Sequence, residues 1–196
     1  MKAEKLLMIG CGILKKEVRW LIEKNHWPVD TAFLDSALHI DFDKLLKKLT
    51  SALARHRGQK VIVFYGTCHP LMEKTLEKAA TFRTHGQNCV EILLGHELFT
   101  EELSKGAFFL FEDWARRWEH ITTKTFGSKL TVAREIFQGD RRYMLCLRTP
   151  CSGDFTAEAE HAGAMMGLPV RWMDLSLDHL ESVLQAAITR KMGQTP

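Results

Sequence analysis

An α/β fold, with a mostly parallel sheet carrying helices on both faces, is what the sequence predicts. Two observations carry it. Short apolar runs rich in β-branched and aromatic residues recur along the chain, as in "KVIVFYG" (60–66). Between them lie amphipathic segments whose apolar residues return at helical spacing. This alternation places helices over both faces of a buried parallel sheet. A third observation sets the organisation: there is no repeat, no low-complexity segment and no Pro- or Ser-rich linker. Residues 1–196 therefore read as a single Rossmann-like α/β domain, with two pseudo-lobes at 1–95 and 106–196.

Each element has its own signal. "KLLMIG" (5–10) reads as a buried strand. Residues 13–24 read as a helix with Ile13, Leu14, Val18, Leu21 and Ile22 on one face. "VDTAFLD" (29–35) is a weaker strand. Asp41 caps a helix whose stripe is Leu45, Leu46, Leu49 and Leu53. Residues 60–66 form the clearest strand, 70–79 a helix, and "ATFRT" (80–84) a short strand. Cys89 to Leu94 start a further helix, ended by Gly95. "GAFFLF" (106–111) is a strand, "EDWARRWEHIT" a helix, and 128–138 another helix. Strand 142–149, helix 155–166 and strand 169–174 follow. Ser176 caps the last helix, with Leu177, Leu180, Val183, Leu184 and Ala187 inward.

Composition excludes several function classes. The net charge is only +3, and no basic run or stripe marks a nucleic-acid surface. No apolar stretch approaches the roughly 20 residues of a membrane span. The start "MKAEKLLMIGCG" runs directly into a strand and turn rather than a signal peptide, so a cytoplasmic location is expected. Five cysteines, an odd number in a reducing compartment, suit metal binding or catalysis better than a disulfide framework.

The placement of those cysteines is the main functional signal. Cys11 follows the first strand, Cys68 follows "VIVFYGT", and Cys89 follows the segment at 80–84. Ligands of an open parallel sheet bind beyond the carboxyl ends of its strands, so all three sit on the expected ligand edge. Cys89 also opens a helix, where the macrodipole favours thiolate, the form that binds soft metals and iron–sulfur clusters. Against this, free cysteine is among the most buried residue types and packs as a small apolar group. No C-x-x-C or H-E-x-x-H spacing decides between the two.

"MIGCGILKKEVRWLI", "LDSALHIDFDKLLKKL", "VIVFYGTC", "HGQNCVEILLG" and "AFFLFEDW" follow one another in order. This succession resembles the bacterial and archaeal family of unknown function designated DUF1638. The resemblance runs over about residues 5–185 and carries Cys11, His39, Tyr65, Gly66, Cys68, Cys89, Gly95 and Trp114. It implies a cytoplasmic α/β protein, and its gene neighbourhoods imply an association with corrinoid-dependent methyltransferases. The chain departs from the family pattern at "CHP", where a glycine commonly follows the cysteine, and at Asn88, which replaces an acidic residue. Because the three thiols and His39 match together, the resemblance favours a metal site.

Other candidates have competing readings. His39, between a strand and a helix, suits a ligand or proton donor, or a loop histidine bonded to backbone. His69 reads as solvent-facing, Cys146 as core, and Cys151 as an outside candidate for a further ligand. "TPCSGDF" before a helix suits anion binding through backbone N–H groups. Trp114, Trp118 and the phenylalanines near them serve as core or as the wall of a cofactor pocket. The expectation is a metalloprotein holding a [4Fe–4S] cluster on Cys11, Cys68 and Cys89, with one iron open to a small-molecule substrate. Zinc is the alternative metal, and His39 is the catalytic proton donor. Tyr65, Gly66 and Trp114 are the expected cofactor contacts. A metal-, cluster- or corrinoid-handling accessory of a methyltransferase system and a plain ligand-binding protein with core cysteines are the other readings.

Overall fold

β1 (Leu6–Cys11) is buried at every residue and forms the axis of the first half of the molecule. The computed structural model describes residues 5–127 and 129–193, with every side chain among them except that of His39. β1 pairs in parallel with β2 (Val29–Leu34) on one side and β3 (Val61–Phe64) on the other. Full burial of β1 and β3 is the signature of a parallel strand covered on both faces. Gly10 is part of this packing: a Cβ there would lie 2.8 Å from the Cβ of Phe64 on the adjacent strand.

The chain divides into two units, Met1–Gly95 with Leu177–Pro196, and His96–Ser176. Around the first sheet lie α1 (Lys15–Lys24), α2 (Phe42–Arg55), α3 (Met72–Lys78), α4 (Cys89–Leu94) and the last helix, α10 (Asp178–Met192). α2 is amphipathic as expected: Leu45, Leu49, Ala52 and Leu53 are buried, and Asp41 accepts the Lys44 N–H at its start. α10 packs on α4 and β3, returning the chain end to the first sheet. The second unit is a separate parallel sheet, β4 (Ala107–Leu110), β5 (Tyr143–Arg148) and β6 (Val170–Asp174), in the order β4-β5-β6. Its helices are α5 (His96–Ser104), α6 (Glu112–Ala115), α7 (Trp118–Phe126), α8 (Leu130–Asp140) and α9 (Thr156–Met166).

Four local expectations differ from the structure. "ATFRT" is not a strand but a single bridge, Val63 with Arg83. The Arg83 guanidinium donates to the carbonyls of Thr84 and Gly86 at 2.9 and 2.7 Å, which turns the chain away before a ladder can grow. The helix expected at 112–122 is two helices, interrupted where Arg116 bonds Glu112, Glu158 and the Asp154 carbonyl. The cap position of α10 is Leu177, buried at 4% exposure, so an apolar anchor rather than Ser176 starts that helix. Finally, α5 occupies the stretch read as a boundary. Its inward face carries Glu102, which accepts from the Tyr143 hydroxyl at 2.6 Å and from Lys105 at 2.8 Å, and so breaks the apolar stripe.

Leu49 is fully buried on α2. Leu49→Ala should cost about 2–5 kcal/mol, the lost transfer energy plus the cavity left behind. Urea denaturation, read as a lower midpoint at unchanged slope, checks it.

Candidate functional site

Three consecutive segments of the first unit converge at the carboxyl edge of its sheet. Cys11 is the last residue of β1, Cys68 lies in the loop after β3, and Cys89 is the first residue of α4. All three line one pocket of about 400 Å³, together with Phe42, Tyr65 and Gly66. The edge is the one where parallel sheets place ligands, because the loops there diverge from the strands and leave a crevice.

The loop after β3 and the loop before α4 are held face to face. Thr67 gives both its backbone N–H and its hydroxyl to the carbonyl of Gln87, at 2.7 and 3.0 Å. Gly66 is required by this approach, since a Cβ there would sit 2.2 Å from the same carbonyl oxygen. One side of the second loop is fixed by Arg83, as above, and by Thr84, whose hydroxyl donates to the Tyr65 carbonyl at 3.3 Å. Its other end is the capped start of α4. The Asn88 side chain accepts from the N–H groups of Val90 and Glu91, and Glu91 reaches back to accept from Gln87 N–H at 3.1 Å. Asn88 is thus a helix cap in its own right, which satisfies two of the orphan donors at the helix start.

Burial dominates the electrostatics. It pushes the Cys68 thiol up, although the Gly66 backbone and Arg83 pull the other way. It pushes the Cys89 thiol well up, with further increments from negative charge on Cys11 and Cys68. The expected preference for thiolate at the start of α4 is overturned. The backbone N–H groups of Cys89 and Val90 do lower the value, but desolvation is the larger effect. Tyr65 is 3% exposed, and burial, followed by Cys11, Cys68, Cys89 and Asp35, raises its hydroxyl so far that it stays protonated. That hydroxyl is a buried donor with no hydrogen-bond partner. An unmet buried donor is costly, and such groups are found where a ligand or water completes them.

The other sequence candidates are distributed as follows. His39 lies in the 3₁₀ turn Ser36–Ile40 after β2, and its side chain is outside the described residues. His69 is not solvent-facing: it is 8% exposed, its Nδ1 accepts from Leu71 N–H at 2.9 Å, and Phe42 meets its ring edge-on. Trp114 belongs to the second unit, where it packs against that unit's apolar cluster, and it does not line the pocket. Cys146 sits in the same cluster at 0% exposure, with its thiol pushed up to about 12 by burial. Cys151 is in the second unit, in a turn closed on itself by Thr149 and Ser152. The anion reading of "TPCSGDF" fails because Gly153 N–H is taken by the Glu112 carboxylate and Thr156 N–H by Asp154. Phe42 and Gln87 were not singled out from the sequence. Phe42 leaves the α2 stripe, being 56% exposed, and that exposure is the signal that marks it.

Among the described residues, no group of three or more His, Cys, Asp and Glu side chains is arranged to hold a metal ion. The three cysteines around one pocket are of the ligand type that soft metals take once deprotonated. Among the same residues, no helix is long and apolar enough to cross a membrane. The family model described as a protein of unknown function, DUF1638, matches residues 33–184. The chain belongs to this family. His39, Tyr65, Gly66, Cys68, Cys89 and Trp114 fall within the DUF1638 segment, while Cys11 precedes it. No curated protein and no solved structure matches the chain.

Gly66→Ala should destabilise the protein by about 1–3 kcal/mol, the usual cost of overpacking, and open the clasp between the two loops. Faster modification of Cys68 and Cys89 by a thiol reagent would report the opening. A second outcome concerns pH. The folded protein holds the Cys68 and Cys89 protons above the ordinary thiol value of 9.0. Their contribution to the stability of the metal-free protein is therefore complete below about pH 9 and lost as pH rises beyond it. Thermal melts at pH 8 and pH 10 measure the loss.

Proposed function

We propose that the chain is a metalloprotein whose metal centre is held by Cys11, Cys68 and Cys89. The centre is a [4Fe–4S] cluster with one open iron, or a zinc ion on the same thiols. One observation carries the reading: three thiols from three successive segments line one pocket with a buried, unpartnered Tyr65 hydroxyl. When bound, such a group supplies an open coordination position at which an oxygen or sulfur donor of a substrate is polarised.

The chain's own residues have definable tasks in this reading. The thiols give up their protons on binding, so metal affinity rises with pH and binding offsets the desolvation that keeps them protonated. Tyr65, its hydroxyl held protonated by burial, donates a hydrogen bond to the bound group or its substrate. Gly66 and Thr67 hold the two cysteine loops in register. His39 is the proposed proton donor. The 400 Å³ pocket lies in the lower part of the small-molecule range, so it favours a small substrate over a corrinoid macrocycle. A corrinoid methyltransferase system remains the proposed setting as partner.

A second reading is favoured by the unconverged donors and the raised thiols. In it the pocket takes a small polar ligand through Tyr65, and the cysteines only pack. Anaerobic purification with iron, sulfide, zinc and cobalt analysis separates the two. A cluster would give about four iron and four sulfide per chain. Cys68→Ser should abolish or cripple binding, whereas Cys146→Ala should keep the metal at a modest cost in stability. A parent chain that binds no metal after anaerobic reconstitution, or a Cys68→Ser variant that binds it as well as the parent, leaves the second reading standing.

A further inference from the structure

A cavity of about 950 Å³ in the first unit lies at the end of β3 opposite the cysteine pocket. It begins at Lys60 and Val61, where β3 starts, and runs between the end of α2 and the length of α3. Its apolar lining includes Leu46, Leu53, Val61 and the exposed Leu71. Its charged lining is of one sign: Arg57, Lys60, Lys74, Lys78 and Lys191, with no aspartate or glutamate among the lining residues.

Basic residues at the ends of helices ordinarily do no more than complement the helix dipole, and solvated side chains suffice for that. Lys191 goes further. The residue is 9% exposed, and its ammonium donates to the Ala80 carbonyl at 3.2 Å and lies 5.6 Å from the centre of the Phe82 ring. Among the described residues it has no carboxylate partner, and neither do Arg57, Lys74 or Lys78. A lysine drawn this far under the surface is normally paired with an anion. Here the missing charge has a cavity in which to sit. The volume is at the upper end of small-molecule sites, and the combination of apolar lining and converging cations selects a ligand with both properties.

We propose that this cavity binds an amphipathic organic anion, with a phosphate, sulfonate or carboxylate head among Lys191, Lys74 and Lys78 and an apolar body against Leu46, Leu53 and Leu71. The ligand is a single soluble molecule, because the apolar residues line a concavity and not a flat face. The site is independent of the metal-centre reading, since it shares no residue with the cysteine pocket.

Fluorescence titration with 8-anilinonaphthalene-1-sulfonate, with dodecyl phosphate below its micelle concentration as competitor, tests it. Saturable binding at one site per chain is expected, displaced by dodecyl phosphate and not by dodecanol. Lys74→Glu/Lys78→Glu, two exposed positions on α3, should weaken both ligands tenfold or more with an unchanged circular dichroism spectrum. Lys191→Met, which keeps the packing stem, should weaken the phosphate more than the dye. Cys68→Ser should leave binding intact. Failure of the parent to bind, equal binding by the α3 variant, or equal displacement by dodecanol would overturn the proposal. Binding to phosphatidylserine vesicles without binding of monomeric dodecyl phosphate would overturn it as well.

Discussion

The arrangement of the candidate site depends on one close approach, the backbone of Gly66 against the carbonyl of Gln87. With any side chain at residue 66 the two loops would collide. With none, Thr67 closes the gap by donating twice to that carbonyl. Every other contact in the region elaborates this one. Arg83 and Thr84 shape one side of the second loop, and Asn88 and Glu91 set the start of α4 on the other. Cys68 and Cys89 come to one pocket because the clasp leaves their loops no other course.

Desolvation is the second constraint, and it works against the simple view of an activated thiol. A helix of six residues has a weak N-terminal field, and desolvation of the half-buried Cys89 raises its proton affinity. With the Cys68 and Cys89 thiols and the Tyr65 hydroxyl held towards their protonated forms, and no charged residue in its lining, the pocket carries little fixed charge. Such a pocket accepts a cation only in exchange for protons, which couples any metal bound there to pH.

Much of the fold was legible because its signals were local and repeated. The strands at 5–10, 60–66 and 142–149 are continuous apolar runs, and the α2 stripe has clean helical spacing. What was not legible depended on partners distant in sequence. Glu102 makes α5 look polar until Tyr143, 41 residues away, supplies its hydrogen bond. The strand-like "ATFRT" is bent by the reach of one arginine. The cysteines' shared edge could be argued from strand ends alone. The unpartnered state of the Tyr65 hydroxyl could not, because it is a property of what surrounds the atom. His69, adjacent to a proline in an open-looking turn, gave no hint that α2 would cover it with Phe42.

The path of the chain through its two units has a consequence for the order of assembly. The His96–Ser176 unit is continuous in sequence, whereas the first unit needs α10, whose residues come after it. During synthesis the inserted unit is complete and free to condense while β3 and α4 still lack the helix that covers them. The cysteine pocket is built on those same elements. A nascent chain therefore keeps its thiols on an unfinished scaffold until α10 has been made.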